Sequence, residues 1–183
     1  MSIADNLLRV RERIAAAAQR VGRNPHDVTL VAVTKTVDAA VILEAIAAGV
    51  TDIGENYVQE ARRKIELMGK SVEWHFIGHL QTNKAKYAVR LFDMIHSVNR
   101  VSLAEELNRR AAAAGVVCRV LIEVNLAGEE SKSGAAPEEA PPAEVVAPPP
   151  VSAPPVQATE VAPAAPPEEK VVEEPAKVVI RRG

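Results

Sequence analysis

The stretch T-L-V-A-V-T-K-T, residues 29–36, decides how the rest of the chain is organised. Residues 30–33 form a short apolar run, which is typical of a strand buried on both faces of a parallel sheet. The run ends just before Lys35, and Asp38 follows as a helix start signal. Parallel α/β folds place their chemistry at the carboxyl ends of their strands, so Lys35 is a candidate site residue.

Two interpretations of Lys35 follow from the strand alone. Burial and neighbouring dipoles can lower the pKa of a lysine enough to leave a neutral amine, which is the nucleophile that Schiff-base formation with an aldehyde needs. The simpler interpretation is that Lys35 marks the point where the strand leaves the core for solvent, as most lysines at strand ends do.

Composition narrows the class of protein. The chain has 183 residues, 48% hydrophobic but only 3% aromatic, which predicts a soluble globular protein with an aliphatic core. A formal net charge of -2 gives no electrostatic reason to expect nucleic acid or a membrane surface as a partner. Cys118 has no second cysteine to pair with, and no stretch is long and apolar enough to span a bilayer. These features predict a cytoplasmic protein.

Five apolar strand patterns alternate with helical patterns, beginning with an amphipathic helix over residues 2–21. The plan is that of a (β/α) barrel or of a doubly wound sheet, with its site at the carboxyl ends of the strands. The strands are predicted near residues 30–33, 51–54, 72–77, 92–97 and 119–124. The polar residues at their carboxyl ends are Lys35, Asn56, His79, Ser97 and Asn125.

Two further assignments follow from periodicity. The helix over residues 58–68 is predicted to bury an apolar face and to turn Glu60, Arg62, Arg63 and Lys64 towards water. His75 alternates within the third strand, which favours a hydrogen-bonded core histidine. A metal pair with His79 is not expected, because a spacing of four residues brings side chains together on a helix rather than in a strand and turn.

The character of the chain changes after Gly134. Twelve of the thirteen prolines lie beyond it, and this density predicts a disordered, polyproline-like tail over residues 135–183. Residues 177–182, K-V-V-I-R-R, form the one segment there that is capable of a brief strand. The sequence therefore predicts a domain over residues 1–134 and a Pro/Ala/Glu-rich tail.

Five phrases in the first 134 residues strongly resemble the pyridoxal phosphate homeostasis protein family, also called the YggS/PROSC family. They match in order and spacing, and the phrase E-E-S-K-S-G at residues 129–134 resembles the loop after the fifth strand in that family. The five are V-A-V-T-K (31–35), D-I-G-E-N-Y-V-Q-E (52–60), W-H-F-I-G-H-L-Q-T-N-K (74–84), I-H-S-V (95–98) and E-V-N (123–125).

The resemblance implies a TIM-type (β/α) barrel of the alanine racemase N-terminal kind that binds pyridoxal 5′-phosphate (PLP). Lys35 stands where the family's lysine carries PLP as an aldimine. We expect Asn56, His79, Ser97 and Asn125 to be cofactor-binding, although Asn56 and Asn125 could equally satisfy loop backbone. The family buffers or delivers intracellular PLP, so we expect a homeostasis protein without catalytic residues or a metal rather than an enzyme.

The chain departs from the family after residue 134. It supplies about five of eight strands, and the phosphate-binding turns that the family carries on its last strands have no counterpart. A complete barrel predicts a monomer, whereas an open parallel sheet leaves apolar edges and predicts self-association. Two alternatives stay open: a PLP-dependent racemase or lyase, which needs an acid/base residue opposite Lys35, and a vestigial barrel whose tail acts as an interaction spacer.

Overall fold

The computed structural model describes residues 2–129, 133–139 and 179–180. The helices are α1 Ile3–Arg20, α2 Ala39–Ala47, α3 Val58–Met68, α4 Ala85–Leu91 and α5 Val101–Ala114. The strands are β1 Val31–Val33, β2 Asp52–Glu55, β3 Glu73–Phe76, β4 Met94–Val98, β5 Arg119–Ile122 and β6 Val179–Ile180. Short 3-10 turns cover Pro25–Asp27, Thr82–Lys84 and Pro137–Glu139. Within these ranges, no helix has the length and apolarity needed to cross a membrane.

The sheet is parallel, and its strands follow one another in chain order from β1 to β6. A doubly wound sheet reverses its strand order at a switch point, whereas a (β/α) barrel adds each strand beside the previous one. The observed order is therefore that of a barrel wall. The predicted α/β class and the barrel-type arrangement are confirmed.

The hydrophobic core lies between the sheet and the helices. Alternate strand residues, Ile53, Trp74, Phe76 and Ile95, are fully or almost fully buried in it. Leu107 and its neighbours on α5 meet them from the helix side. Since side chains alternate along a strand, the residues between these point to the opposite face of the sheet, which corresponds to the barrel interior.

That interior face is only partly covered by the described residues. Val33 is 52% exposed, so the prediction that the first strand is buried on both faces is wrong. The physical reason is that a strand in a barrel wall is covered on its second face by the opposite strands, and the described strands form one side of a barrel. The helix-facing residue that follows β1, Thr34, is buried.

Two described segments beyond residue 132 pair with β5 or with the residues directly after it. The Ala135 N–H donates to the Glu123 carbonyl at 2.8 Å, and the Asn125 N–H donates to the Ala135 carbonyl at 2.9 Å. The brief strand predicted within residues 177–182 is observed at Val179–Ile180, beside β5. The rest of the tail, for which disorder is predicted, lies outside the described residues.

Candidate functional site

The carboxyl ends of β1 and β2 place Lys35 at the rim of the sheet. Val33 is in register with Gly54, and Lys35 and Asn56 each lie two residues beyond this pair. Lys35 follows the end of β1 and its side chain is exposed, while Asn56 is half-buried. Within the described ranges, no hydrogen bond or ion pair engages the Lys35 amine. An accessible primary amine therefore stands at the position where parallel α/β folds carry their chemistry.

The ends of β2, β3 and β4 meet at Gly78. A Cβ atom at this residue would lie 2.8 Å from the Cα atom of Asn56, so only glycine allows the two strand ends to approach so closely. The buried Ser97 hydroxyl donates to the Gly78 carbonyl at 2.5 Å. His79 follows Gly78 and is exposed. Asn56, His79 and Ser97 are thus gathered around one close contact.

Ser97 and Asn125 already have partners in the protein. The single proton of the Ser97 hydroxyl is used on Gly78, which leaves its oxygen as an acceptor only. The Asn125 side-chain amide donates to the Glu129 carbonyl at 2.9 Å within its own loop. Both interactions order the rim itself, and the assignment of these two residues to a cofactor stays a prediction.

A cluster of charged residues, Glu55, Glu60 and Lys64, contacts Thr34 and Thr36 on either side of Lys35. Lys64 on α3 is only 7% exposed, so the prediction that it faces water is wrong. Its ammonium donates to Glu55 Oε1 at 2.7 Å, to Glu60 Oε1 at 2.8 Å and to the Thr34 carbonyl at 2.6 Å. Three acceptors use all three protons of the ammonium, which explains how a lysine can be stable inside the core.

Electrostatics favour the charged forms of Lys64 and Glu60. Burial by itself would lower the pKa of Lys64, but the hydrogen bonds and charges of Glu55 and Glu60 outweigh burial, and the net shift of the pKa is upward. The hydrogen bond from Lys64 lowers the pKa of Glu60, and the Thr36 backbone N–H acts in the same direction. Glu55 is fully buried, and within the described ranges its second oxygen, Oε2, has no hydrogen-bond partner.

A second polar cluster occupies the interior face of the sheet. His75 Nδ1 lies 2.8 Å from His96 Nε2, and His75 Nε2 lies 3.1 Å from an oxygen of Asp52. Burial lowers the pKa of His96, and the charge of His75 adds to this. His75 is therefore the hydrogen-bonded buried histidine that the sequence predicts.

Sequence reasoning missed the charged cluster, although a signal for it was present. Lys64 lies three residues after Ala61 and six after Val58, so it belongs to the buried stripe of the helix. Glu60 lies four residues before it, which is the spacing of a helical ion pair. Glu55 ends the buried run of β2, where a carboxylate needs a partner.

The family model for the alanine racemase N-terminal domain matches residues 6–147 of this chain. The chain belongs to the alanine racemase N-terminal domain family. This membership agrees with the parallel, sequentially ordered strands. The resemblance found in the sequence phrases is confirmed by relatives that carry the name pyridoxal phosphate homeostasis protein.

Two such relatives and one solved structure illustrate how far the similarity of this alanine racemase N-terminal domain extends. The protein of Pseudomonas aeruginosa is 46% identical over 141 residues, which cover 76% of this chain and 61% of that protein. The protein of Escherichia coli K12 is 48% identical over 136 residues, covering 72% and 58%. PipY of Synechococcus elongatus, solved with PLP bound, is 38% identical with a TM-score of 0.64, covering 75% and 59%. The chain thus spans about three fifths of the length of these proteins.

Proposed function

We propose that this chain binds PLP covalently through Lys35 and serves intracellular PLP homeostasis. The observation that carries the proposal is the accessible amine of Lys35 at the carboxyl end of β1 in an alanine racemase N-terminal domain. Support comes from PipY, a similar protein whose structure has been solved with PLP bound, and from relatives named pyridoxal phosphate homeostasis protein. Because the chain spans only part of those proteins, their role is carried over as a proposal.

The residues present fit the aldehyde end of PLP. When bound, PLP supplies an aldehyde carbon that condenses with a primary amine, and within the described ranges the Lys35 amine has no competing acceptor. Asn56 and His79 line the same rim and are available to flank a planar ring. Turns that would bind the phosphate, which the family carries on later strands, are not found among residues 2–129, 133–139 and 179–180.

The proposed role is cofactor binding in the cytoplasm rather than turnover of a substrate. The relatives at 46% and 48% identity are named for homeostasis and not for a reaction. The buried thiol of Cys118 supports a reducing compartment, because it needs no disulfide partner. We expect no exchange of the α-proton of amino acids into D₂O when the protein is loaded with PLP, measured by proton NMR; exchange above the rate of free PLP would indicate an enzyme.

The test is to trap the adduct. The protein is mixed with increasing PLP, reduced with borohydride and digested, and the pyridoxyl group is located by peptide mass mapping. Wild type and two variants are compared: Lys35→Ala, and Lys86→Ala as a matched control at another exposed lysine. We expect one label per chain at Lys35 in wild type and in Lys86→Ala, and no specific label in Lys35→Ala.

Two results would overturn the proposal. One is labelling spread evenly over the exposed lysines, which would mean that Lys35 is no more reactive than any other surface amine. The other is a label of unchanged amount in Lys35→Ala, which would place the binding site elsewhere. Saturation at low PLP concentration with Lys35 as the labelled residue would support a selective site.

A further inference from the structure

We infer that Glu60 and Lys64, together with Glu55, are positioning residues that clamp the backbone on both sides of Lys35 and thereby orient its amine towards PLP. This role rests on the proposed binding of PLP at Lys35. Neither α3 nor its charges touch the Lys35 side chain in the hydrogen bonds of the described residues. The cluster acts through the backbone instead, from the helix side of the sheet.

The first half of the clamp acts on Thr34, the residue before Lys35. The Thr34 hydroxyl donates to Glu55 Oε1 at 2.6 Å, and the Thr34 carbonyl accepts from the Lys64 ammonium at 2.6 Å. Thr34 is buried, and its N–H donates to the Gly54 carbonyl at 3.0 Å. Its side chain and both backbone polar groups are therefore fixed, so the peptide bond that leads into Lys35 has one orientation.

The second half acts on Thr36, the residue after Lys35. Its N–H donates to Glu60 Oε1 at 2.6 Å. Thr36 has a φ of 61° and is the one non-glycine residue with positive φ in the described ranges. A β-branched residue rarely adopts this left-handed conformation, so other contacts must hold it there. The Glu60 carboxylate supplies such a contact, and the resulting turn directs the chain away from the sheet directly after Lys35.

The arrangement of hydrogen bonds in the cluster of Glu55, Glu60 and Lys64 argues against a role in general stability alone. The contacts of Glu60 with Thr36 and Lys64 converge on a single oxygen, Oε1. One of the three hydrogen bonds of Lys64 ends on the Thr34 carbonyl, directly before Lys35. The other helical ion pair of α3, Arg62–Glu66, is exposed, and its hydrogen bond joins only its two members. A buried ion cluster is costly to form, which fits a requirement for a fixed local geometry.

The test compares three single variants of the full chain. Glu60→Ala removes the acceptor for the Thr36 N–H, Glu60→Gln keeps an oxygen at the same place, and Glu66→Ala is the matched control on the same helix. Hydrogen exchange of the Thr36 amide, followed by NMR without PLP, measures the clamp. The rate of borohydride-trapped labelling of Lys35 by PLP measures the orientation of the amine.

We expect Glu60→Ala to speed Thr36 exchange and to slow Lys35 labelling about tenfold or more, because misplacing a reactive group by about 1 Å can cost about a hundredfold. Glu60→Gln should keep most of the wild-type protection of the Thr36 amide and most of the wild-type labelling rate of Lys35. Glu66→Ala should change neither the exchange rate nor the labelling rate. Equal labelling rates in wild type and Glu60→Ala, or unchanged Thr36 exchange, would overturn the clamp while leaving the proposed function standing. Failure of wild type to label at Lys35 would overturn both.

Discussion

Replacing Lys64 with methionine would test whether the buried cluster has the energetic weight that its geometry implies. Methionine is unbranched and only one atom shorter than lysine, but it removes the charge and all three hydrogen bonds. Glu55, which is 0% exposed, would then keep the Thr34 hydroxyl but lose its counter-charge. Removing one partner of a buried ion pair typically costs about 3–5 kcal/mol of the free energy of unfolding.

This loss is large relative to the stability of a typical domain, about 5–15 kcal/mol. Urea unfolding followed by the fluorescence of Trp74 is a suitable assay, because Trp74 is the single tryptophan and is fully buried. With an m value of about 2 kcal/mol/M, the unfolding midpoint should fall by about 2 M. The exposed pair Arg62–Glu66 provides the control: Glu66→Ala should cost about 0.5 kcal/mol or less.

A double variant distinguishes the effect of an unpaired buried charge on stability from the effect of lost packing. Adding Glu55→Gln to Lys64→Met removes the uncompensated carboxylate, so the double variant should recover part of the lost stability. The reasoning would be refuted if Lys64→Met cost no more than Glu66→Ala, or if the double variant were less stable than Lys64→Met alone. Either result would mean that the loss of Lys64 does not leave an unpaired buried charge on Glu55.

Three further predictions concern the rim, the interior face and the lone thiol. Gly78→Ala should lower the free energy of unfolding by about 1–3 kcal/mol in the same urea assay, because the added Cβ would meet the backbone of Asn56. The lowered pKa of His96 means that the folded state binds fewer protons than the unfolded state. The contribution of neutral His96 to stability should be fully present above the unfolded pKa of about 6.5 and should be lost as the pH falls from that value to the lower folded pKa. Over this pH range the melting temperature should therefore fall less in His96→Gln than in wild type. Burial raises the pKa of Cys118 to about 11, so iodoacetamide at about pH 8 should leave the native thiol unmodified and should alkylate it in urea.

For each of these three predictions, one result would contradict it. Wild-type stability in Gly78→Ala would show that the ends of β2 and β3 can separate freely. An equal fall in melting temperature for wild type and His96→Gln would assign the acid sensitivity to other groups. Rapid alkylation of native Cys118 would show that the layer between β5 and the helices opens readily.

The local pattern was enough to predict the order of helices and strands. The apolar run before Lys35, the helical stripe of α3 and the alternation around His75 each depend on neighbours within a few residues, and the structure shows the corresponding elements. The phrases shared with the family predicted that the chain belongs to it, because each phrase covers a strand or the residues directly after one. The assignment of Lys35 to PLP stays a prediction from that resemblance.

Burial and long-range contacts were not predictable in this way. The sequence alone determined that five parallel strands alternate with helices and that polar residues, Lys35 among them, follow each strand. Only the tertiary structure decided that Lys64 is buried between Glu55, Glu60 and Thr34, and that Val33 is exposed. The physical reason is that periodicity fixes which side of an element a residue lies on, whereas its burial depends on what distant parts of the chain pack against that side.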